Sequence, residues 1–168
     1  MQYIIKYVIK YLEECILYYN MGMDYYEQLR EMNRVESLDN MLIKAMKAER
    51  HDRVKYQRMM EMTNNPMVKE QIKFAYDDEI KHYKMFQQMY YMLTGRNMEI
   101  PIPNNIETYD TLMEAVQSSI EGENEAVDLY REIYAHMTNE EMKDKIYEII
   151  TDEQEHFGRF IYLYSMLK

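Results

Sequence analysis

Two glutamate–histidine pairs are the first sign of chemistry in this sequence. Glu79 lies three residues before His82, and Glu153 lies three residues before His156. Residues three apart share one face of an α-helix, so each pair can offer a carboxylate and an imidazole to the same point. Oxygen and imidazole ligands without thiolates suit iron and manganese. The two pairs therefore predict a site for iron or manganese rather than a structural zinc site.

Both pairs occupy equivalent places in an internal repeat. Residues 38–94 align with residues 112–168 without a gap, and 13 of the 57 aligned positions are identical. The same alignment matches Glu49 with Glu123, each 30 residues before the glutamate of its Glu-x-x-His pair. We interpret the sequence as a duplicated unit in which each copy supplies two glutamates and one histidine.

Each copy of the repeat is expected to form a helical hairpin. Residues 63–66, Thr-Asn-Asn-Pro, end one helix and start the next, and residues 138–139, Thr-Asn, do so in the second copy. Connections this short place neighbouring helices antiparallel. Apolar residues at helical spacing define the expected core face. They are Leu42, Met46, Tyr56, Met59, Ile72, Ala75, Phe86, Met89 and Leu93, then Ile146, Ile149, Phe160 and Leu167.

A long segment joins the two hairpins. It runs from Thr94 to Thr108 and contains Gly95, Pro101 and Pro103, which end a helix and keep the chain extended. About 15 residues can span about 50 Å, more than the ~40 Å length of a 27-residue helix. The sequence therefore predicts an all-α four-helix bundle of two antiparallel hairpins joined by one long crossover.

Residues 1–34 lie outside the repeat, and residues 35–168 are predicted to form the bundle. Apolar residues in the first segment alternate at spacings of four and three, which is typical of a short coiled-coil seam. These residues are Ile5, Ile9, Leu12, Ile16, Tyr19 and Met23. We expect an extra N-terminal helix here, which either packs on the bundle or mediates a homodimer.

Composition and charge narrow the function classes. The 168-residue chain has a formal net charge of −10, which disfavours non-specific nucleic-acid binding. It contains no run of about 18 apolar residues, so we expect no membrane partner and a cytoplasmic location. The one cysteine, Cys15, excludes a Cys-x-x-Cys site and is expected to be a small buried apolar residue.

The four repeated glutamates are expected to meet at one level of the bundle. Glu49 and Glu79 each lie about 15 residues, or 22–23 Å, from the first predicted turn, and the second copy has the same spacing. The glutamates also fall on the apolar stripes. Four buried carboxylates cannot all stay ionised without cations, and two divalent ions would balance their charge. Solvated surface pairs, or a pH-switching core without metal, are the alternatives at this point.

This ligand pattern resembles the di-iron carboxylate proteins of the ferritin-like superfamily. One glutamate from each of two helices, plus Glu-x-x-His from each of the other two, is the signature of that superfamily. Residues 78–95, and the spacing between Glu49 and Tyr56 and between Glu123 and Tyr130, are similar to the rubrerythrin-type branch. The resemblance covers about residues 35–168 and implies a ferritin-like four-helix bundle.

The resemblance also implies roles for individual residues. Glu79 and Glu153 would bridge two metal ions, Glu49 and Glu123 would be terminal ligands, and each histidine would bind one ion. Two further kinds of residue would support the ligands. Tyrosines would hydrogen-bond ligand carboxylates, and aspartates four residues before the histidines would accept the imidazole N–H. These supporting residues are Tyr56, Tyr130, Asp78 and Asp152. Ordinary core packing of the tyrosines and solvation of the aspartates are the alternatives.

Several positions depart from the rubrerythrin pattern. The extra glutamate one turn beyond the third-helix ligand is replaced by Ala126, and a four-cysteine iron site is impossible. Asp52 could supply the missing carboxylate from the other half. His51 is expected to be solvated, and His136 is expected to interact with the C-terminus of its helix.

The resemblance implies a non-haem di-iron oxidoreductase that reduces hydrogen peroxide or dioxygen with electrons from an external donor. The implied cofactor is two iron ions, and manganese with catalase activity is the alternative because the ligands suit both metals. Two other functions stay open. One is a ferroxidase that handles iron, and the other is a ferritin-like structural protein of bacterial spores.

Overall fold

The computed structural model describes residues 37–168 and forms four helices in this part of the chain. They are α1 (Leu38–Glu61), α2 (Pro66–Thr94), α3 (Leu112–His136) and α4 (Glu140–Leu167). Within residues 37–168, none of these helices is long and apolar enough to cross a membrane. The predicted N-terminal helix and Cys15 lie outside the described residues, so the boundary at residue 34 stays a prediction.

The helices form the predicted ferritin-like bundle of two hairpins. The α1–α2 hairpin packs on the α3–α4 hairpin through contacts of α1 with α3 and of α2 with α4. Tyr56 pairs with Glu123, whereas Tyr130 pairs with Glu49. Residue numbers therefore rise along α1 as they fall along the facing side of α3, so these helices are antiparallel.

Side-chain caps fix both hairpin turns. Asn65 accepts hydrogen bonds from the backbone N–H groups of Met67 and Val68, and Pro66 occupies the first position of α2. Asn139 caps α4 in the same way by accepting from the N–H of Met142. The caps match the predicted turns, so each hairpin starts its second helix at an equivalent residue.

The crossover occupies residues 95–111 and is anchored along its length. Gly95 ends α2 in the left-handed conformation, with φ of 69°. Ile100 and Ile106 are buried, and the N–H of Ile100 donates to the hydroxyl of Tyr83 at 2.9 Å. Thr111 then caps α3 in a reciprocal capping box with Glu114.

Two apolar clusters form the core, one on each side of a polar layer at mid-bundle. In one, Phe86 packs on Tyr130 with ring centroids 5.0 Å apart, and in the other Phe160 packs on Tyr56 at 5.1 Å. The predicted core residues are buried except Leu93 and Leu167, which lie at the ends of α2 and α4. The prediction was wrong for Leu93, which is 43% exposed because α2 ends one residue later.

Candidate metal centre

Six polar side chains fill the layer between the two apolar clusters. Each is at most 3% exposed. They are Glu49, Glu79, His82, Glu123, Glu153 and His156. One glutamate comes from α1 and one from α3, and a Glu-x-x-His pair comes from each of α2 and α4. The structure therefore brings together all six residues that the sequence predicted as ligands.

The six residues divide into two overlapping groups of four. Glu49 and His82 belong to one group, Glu123 and His156 belong to the other, and Glu79 and Glu153 belong to both. Within each group, one potential ligand atom from every residue lies within 4.8 Å of the others. Two groups that share two carboxylates have the arrangement required for two neighbouring ions with bridging ligands.

The two imidazoles present the same nitrogen to the carboxylates. Nδ1 of His82 lies 2.9 Å from Oε1 of Glu153 and 3.5 Å from Oε2 of Glu49. Nδ1 of His156 lies 3.0 Å from Oε2 of Glu153 and 3.5 Å from Oε1 of Glu79. The ring centroids of the histidines are 5.9 Å apart. Glu153 therefore lies between both rings.

Several buried carboxylate and imidazole atoms at this layer lack hydrogen bonds. Among residues 37–168, Oε2 of Glu49, Oε1 of Glu79, Oε1 of Glu153 and Nδ1 of His82 have no hydrogen-bond partner. A buried polar atom without a partner costs about 1–3 kcal/mol. These unpartnered atoms are carboxylate oxygens and an imidazole nitrogen that face one another, and such atoms are ligands for iron and manganese. The residues therefore fit a pair of divalent ions of that type.

Burial and crowded charge perturb the protonation of these groups. Burial, followed by the charge of Glu153, raises the pKa of Glu123 to about 8. Burial and the neighbouring carboxylates also raise the pKa of Glu79 well above its usual range. For His82 burial favours the neutral ring, but the hydrogen bond to Asp152 and the adjacent carboxylates of Glu153 and Glu49 outweigh burial and raise the pKa. Without metal, protons must therefore compensate the carboxylates.

The two predicted tyrosines bond to ligand carboxylates across the bundle. The Tyr56 hydroxyl donates to Oε1 of Glu123, and the Tyr130 hydroxyl donates to Oε1 of Glu49. Each tyrosine therefore orients the terminal glutamate of the other hairpin. Spacing along one helix could show that a tyrosine faces inward, but it could not identify this partner.

The two predicted aspartates also bond across the bundle. Nε2–H of His82 donates to Oδ2 of Asp152 at 3.1 Å, and Nε2–H of His156 donates to Oδ2 of Asp78 at 3.2 Å. The expected role as acceptor of an imidazole N–H therefore matches the geometry, and each aspartate serves the histidine of the opposite hairpin. These bonds hold the proton on Nε2, so the lone pair of each neutral ring lies on Nδ1 and faces the carboxylates.

Lys81 contacts both aspartates, and its role at the site was not predicted from the sequence. Nζ of Lys81 lies 2.7 Å from Asp152 and 3.3 Å from Asp78. Hydrogen bonds from His82 and Lys81 outweigh the effect of burial and lower the pKa of Asp152 to about 2. The helical spacing of Lys81 and Asp78 was a usable signal, because an i, i+3 pair often forms a salt bridge.

Other candidate residues lie outside both groups of four. Asp52 accepts from Nδ1 of His51 at 2.9 Å and lines the same cavity as Ala126, but it belongs to neither group. The His51 side chain is 34% exposed, and Glu107 of the crossover holds its other ring nitrogen at 2.7 Å. His136 donates to a backbone carbonyl in the last turn of α3, as predicted.

A family model named manganese-containing catalase matches residues 36–121 of this chain. The matched range includes Glu49, Glu79 and His82. The other three predicted ligands follow it in the second hairpin. Uncharacterized protein YhjR of Bacillus subtilis is 27% identical over 108 residues, which are 64% of this chain and 72% of that protein.

Solved structures show the same fold. A hypothetical protein from Pyrococcus furiosus has a TM-score of 0.70 and 20% identity, over 82% of this chain and 94% of that chain. A ferritin-like diiron-carboxylate protein from Thermotoga maritima has a TM-score of 0.65 and 18% identity, over 79% and 97%. Bacterioferritin from Rhodobacter capsulatus has a TM-score of 0.63 and 17% identity, over 77% and 84%. From the family match and the shared fold, the chain belongs to the manganese-containing catalase family, within the ferritin-like proteins that carry a dinuclear site of carboxylate and histidine ligands.

Proposed function

We propose that this chain is a non-haem oxidoreductase that reduces hydrogen peroxide at a dinuclear metal centre. The observation that carries the proposal is the pair of overlapping ligand groups that share Glu79 and Glu153. In the proposed centre, Glu49 and His82 hold one ion and Glu123 and His156 hold the other. When bound, two such ions supply the two electrons that cleave the peroxide O–O bond.

The chain itself holds and shields these ions. Tyr56 and Tyr130 fix the terminal carboxylates, while Asp78 and Asp152 fix the imidazole tautomers. The apolar clusters on both sides keep water from competing with the ligands.

Two versions of the reaction differ in the electron source. In the rubrerythrin-type version, with iron, the electrons would come from an external donor, and peroxide, two protons and two electrons would give two waters. In the catalase version, with manganese, which the family match favours, two peroxides would give two waters and one dioxygen without an external donor. The same ligands serve both versions because oxygen and imidazole donors accept either metal.

Metal content and product analysis test the proposal together. The full chain is purified without added metal, analysed for iron and manganese, and then given peroxide with and without a reducing dye. Donor-independent oxygen release identifies a catalase, and donor-dependent peroxide loss without oxygen identifies a peroxidase. A chain that binds no metal even after anaerobic loading would contradict the proposal.

Iron handling is a third candidate, because the fold is shared with bacterioferritin. Particle size separates it from the others. We propose a homodimer located in the cytoplasm for the peroxide-reducing protein, whereas a 24-subunit particle that accumulates ferric mineral would establish iron storage. Incorporation into spore layers without peroxide turnover would instead establish the structural alternative.

A further inference from the structure

A cavity of about 200 Å³ reaches the metal centre from the face formed by α1 and α2. Glu79, one of the two shared carboxylates, forms part of its wall. Three basic residues also line it: Arg50 and Arg53 of α1, and Lys84 of α2. Such a concentration of positive charge contrasts with the whole chain, whose net charge is −10.

Arg50 has two fixed contacts and one buried donor, Nε, without a hydrogen-bond partner among residues 37–168. Its guanidinium lies over the ring of Tyr83, 3.8 Å from the centroid, and its Nη2 donates to Oε1 of Glu99 at 2.7 Å. The side chain is 13% exposed. Its Nε is buried and has no hydrogen-bond partner among residues 37–168. A buried N–H of a cation without an acceptor is costly, so this donor requires a ligand or water.

The other two cations lack carboxylate partners in the described part of the chain. Arg53 is half-buried, and its guanidinium carbon lies 5.8 Å from the ring centroid of Tyr76. Lys84 is exposed and forms no ion pair with any residue from 37 to 168. The carboxylates at this cavity are Glu99, which is paired with Arg50, and Glu79, which also faces the metal centre. Positive charge is therefore in excess at the cavity.

The internal repeat shows that these cations are specific to one hairpin. The ligands, tyrosines and aspartates of the centre are identical in the two copies. The counterparts of the three cations are neutral, and they are Asn124, Val127 and Gly158. The basic cavity is therefore not needed to build the dinuclear layer, because the second hairpin contributes its half of the layer without one.

We propose that this cavity binds a small oxyanion of the phosphate, carbonate or carboxylate class beside the metal centre. Guanidinium groups present donors that match the paired oxygens of such anions. Arg50 supplies the unused Nε donor, and Arg53 and Lys84 supply the uncompensated charge. The volume of about 200 Å³ suits an anion of a few atoms and is too small for a segment of a folded protein.

Equilibrium dialysis with radiolabelled inorganic phosphate tests the site directly. The full chain is used, both as purified and after metal removal with a chelator. We expect saturable binding of one phosphate per chain in both forms. Arg53→Gln should weaken it at least about tenfold, since it removes a half-buried charge that can also donate a charge-assisted hydrogen bond to the anion, and such a bond is worth that much. Lys84→Gln should weaken it less because the residue is exposed.

Arg131→Gln is the matched control. Arg131 is exposed on α3 and forms no ion pair with residues 37–168, so its loss changes the net charge equally without touching the cavity. Lys84→Gln changes an exposed residue, so it tests the cavity with little risk of misfolding. Circular dichroism checks that each variant is folded. Bicarbonate and acetate are dialysed separately, and the tightest binder identifies the anion class.

Two results would overturn the proposal. One is the absence of saturable binding for all three anions at millimolar concentration. The other is binding that persists in the Arg53→Gln, Lys84→Gln double variant, because the anion would then lie on the metals or elsewhere. Metal analysis of the same samples keeps this outcome separate from a failure of the dinuclear centre.

Discussion

The two hairpins share their inward-facing chemistry and differ on their outer faces. Each supplies two candidate ligand glutamates, one histidine, one tyrosine and one aspartate at equivalent positions. Outside this set, the α1–α2 hairpin carries Arg50, Arg53 and Lys84, whereas the α3–α4 hairpin has neutral residues there. The residues that meet in the buried polar layer are therefore the same in both copies, whereas the three basic residues beside the cavity have no basic counterpart.

The largest expected effect comes from breaking a shared ligand. Glu79→Gln or Glu153→Gln should remove both ions, because each residue belongs to both ligand groups. Glu49→Gln or Glu123→Gln should remove only one. Elemental analysis should therefore show a fall from about two ions per chain to near zero for the shared ligands and to about one for the terminal ligands.

Glu61→Gln, at the exposed end of α1, is the control for this series. Full metal content in either shared-ligand variant would contradict the bridging assignment. The metal-free Glu79→Gln protein should also unfold at a higher temperature than the metal-free wild type, because the variant removes a buried ionisable group.

The aspartates test whether the crossed bonds are equivalent. Asp152→Asn and Asp78→Asn should each weaken metal binding by about 10–100-fold, since they orient the imidazoles. The effect should be larger for Asp152, which lies closer to Lys81. Competition with a chelator of known affinity measures both. Equal losses would show that Lys81 does not distinguish the two halves.

The pH dependence of metal binding tests the raised pKa of Glu123 in the α3–α4 hairpin. The pKa of Glu123 in the metal-free protein is raised to about 8, so this carboxyl is protonated below that pH and must lose its proton to bind metal. Affinity should therefore fall by about tenfold per pH unit for each proton displaced as pH drops below about 8. Calorimetric titration in buffers of different ionisation enthalpy measures the released protons, and a pH-independent affinity would contradict this account.

The two tyrosines should have equal effects on stability. Tyr56→Phe and Tyr130→Phe each remove a buried hydroxyl donor to a glutamate, so each should lower the free energy of unfolding by about 1–3 kcal/mol. Urea titration measures this. Tyr147→Phe, at a side chain 62% exposed, is the matched control. Strongly unequal losses would show that the two hydrogen bonds, although equivalent in position, contribute differently to stability.

The smallest expected effect concerns the N-terminal caps of α1 and α3, the first helices of the two hairpins. The Thr111 side chain accepts from the N–H of Glu114, whereas the Ser37 side chain makes no capping hydrogen bond to α1. Thr111→Ala should therefore cost about 1 kcal/mol, and Ser37→Ala should cost less. Thermal unfolding of the two variants is a sufficient comparison, and a larger loss at Ser37 would show that the cap is not the difference.

Periodicity and counting predicted the bundle and the inward faces of the six ligand positions, because helical spacing gives the face and distance from a turn gives the height. Partners across the bundle could not be predicted from spacing. Tyr56 and Asp152 both serve residues of the opposite hairpin, which depends on how the hairpins dock. Arg50 and Lys81 were missed for a similar reason, since the spacing of charges along one helix does not show that their partners Glu99 and Asp152 lie on other elements.

The crossed bonds have a consequence for assembly. Each hairpin carries donors and acceptors directed at the other, which is the pattern of a twofold-symmetric dimer whose subunits have been joined. The crossover at residues 95–111 is then a tether. It converts a meeting of two molecules into an intramolecular one, at an effective concentration of the millimolar order. If the chain is cut within the crossover, formation of the six-residue layer should depend on the concentrations of both fragments. In the intact chain it should not depend on the protein concentration.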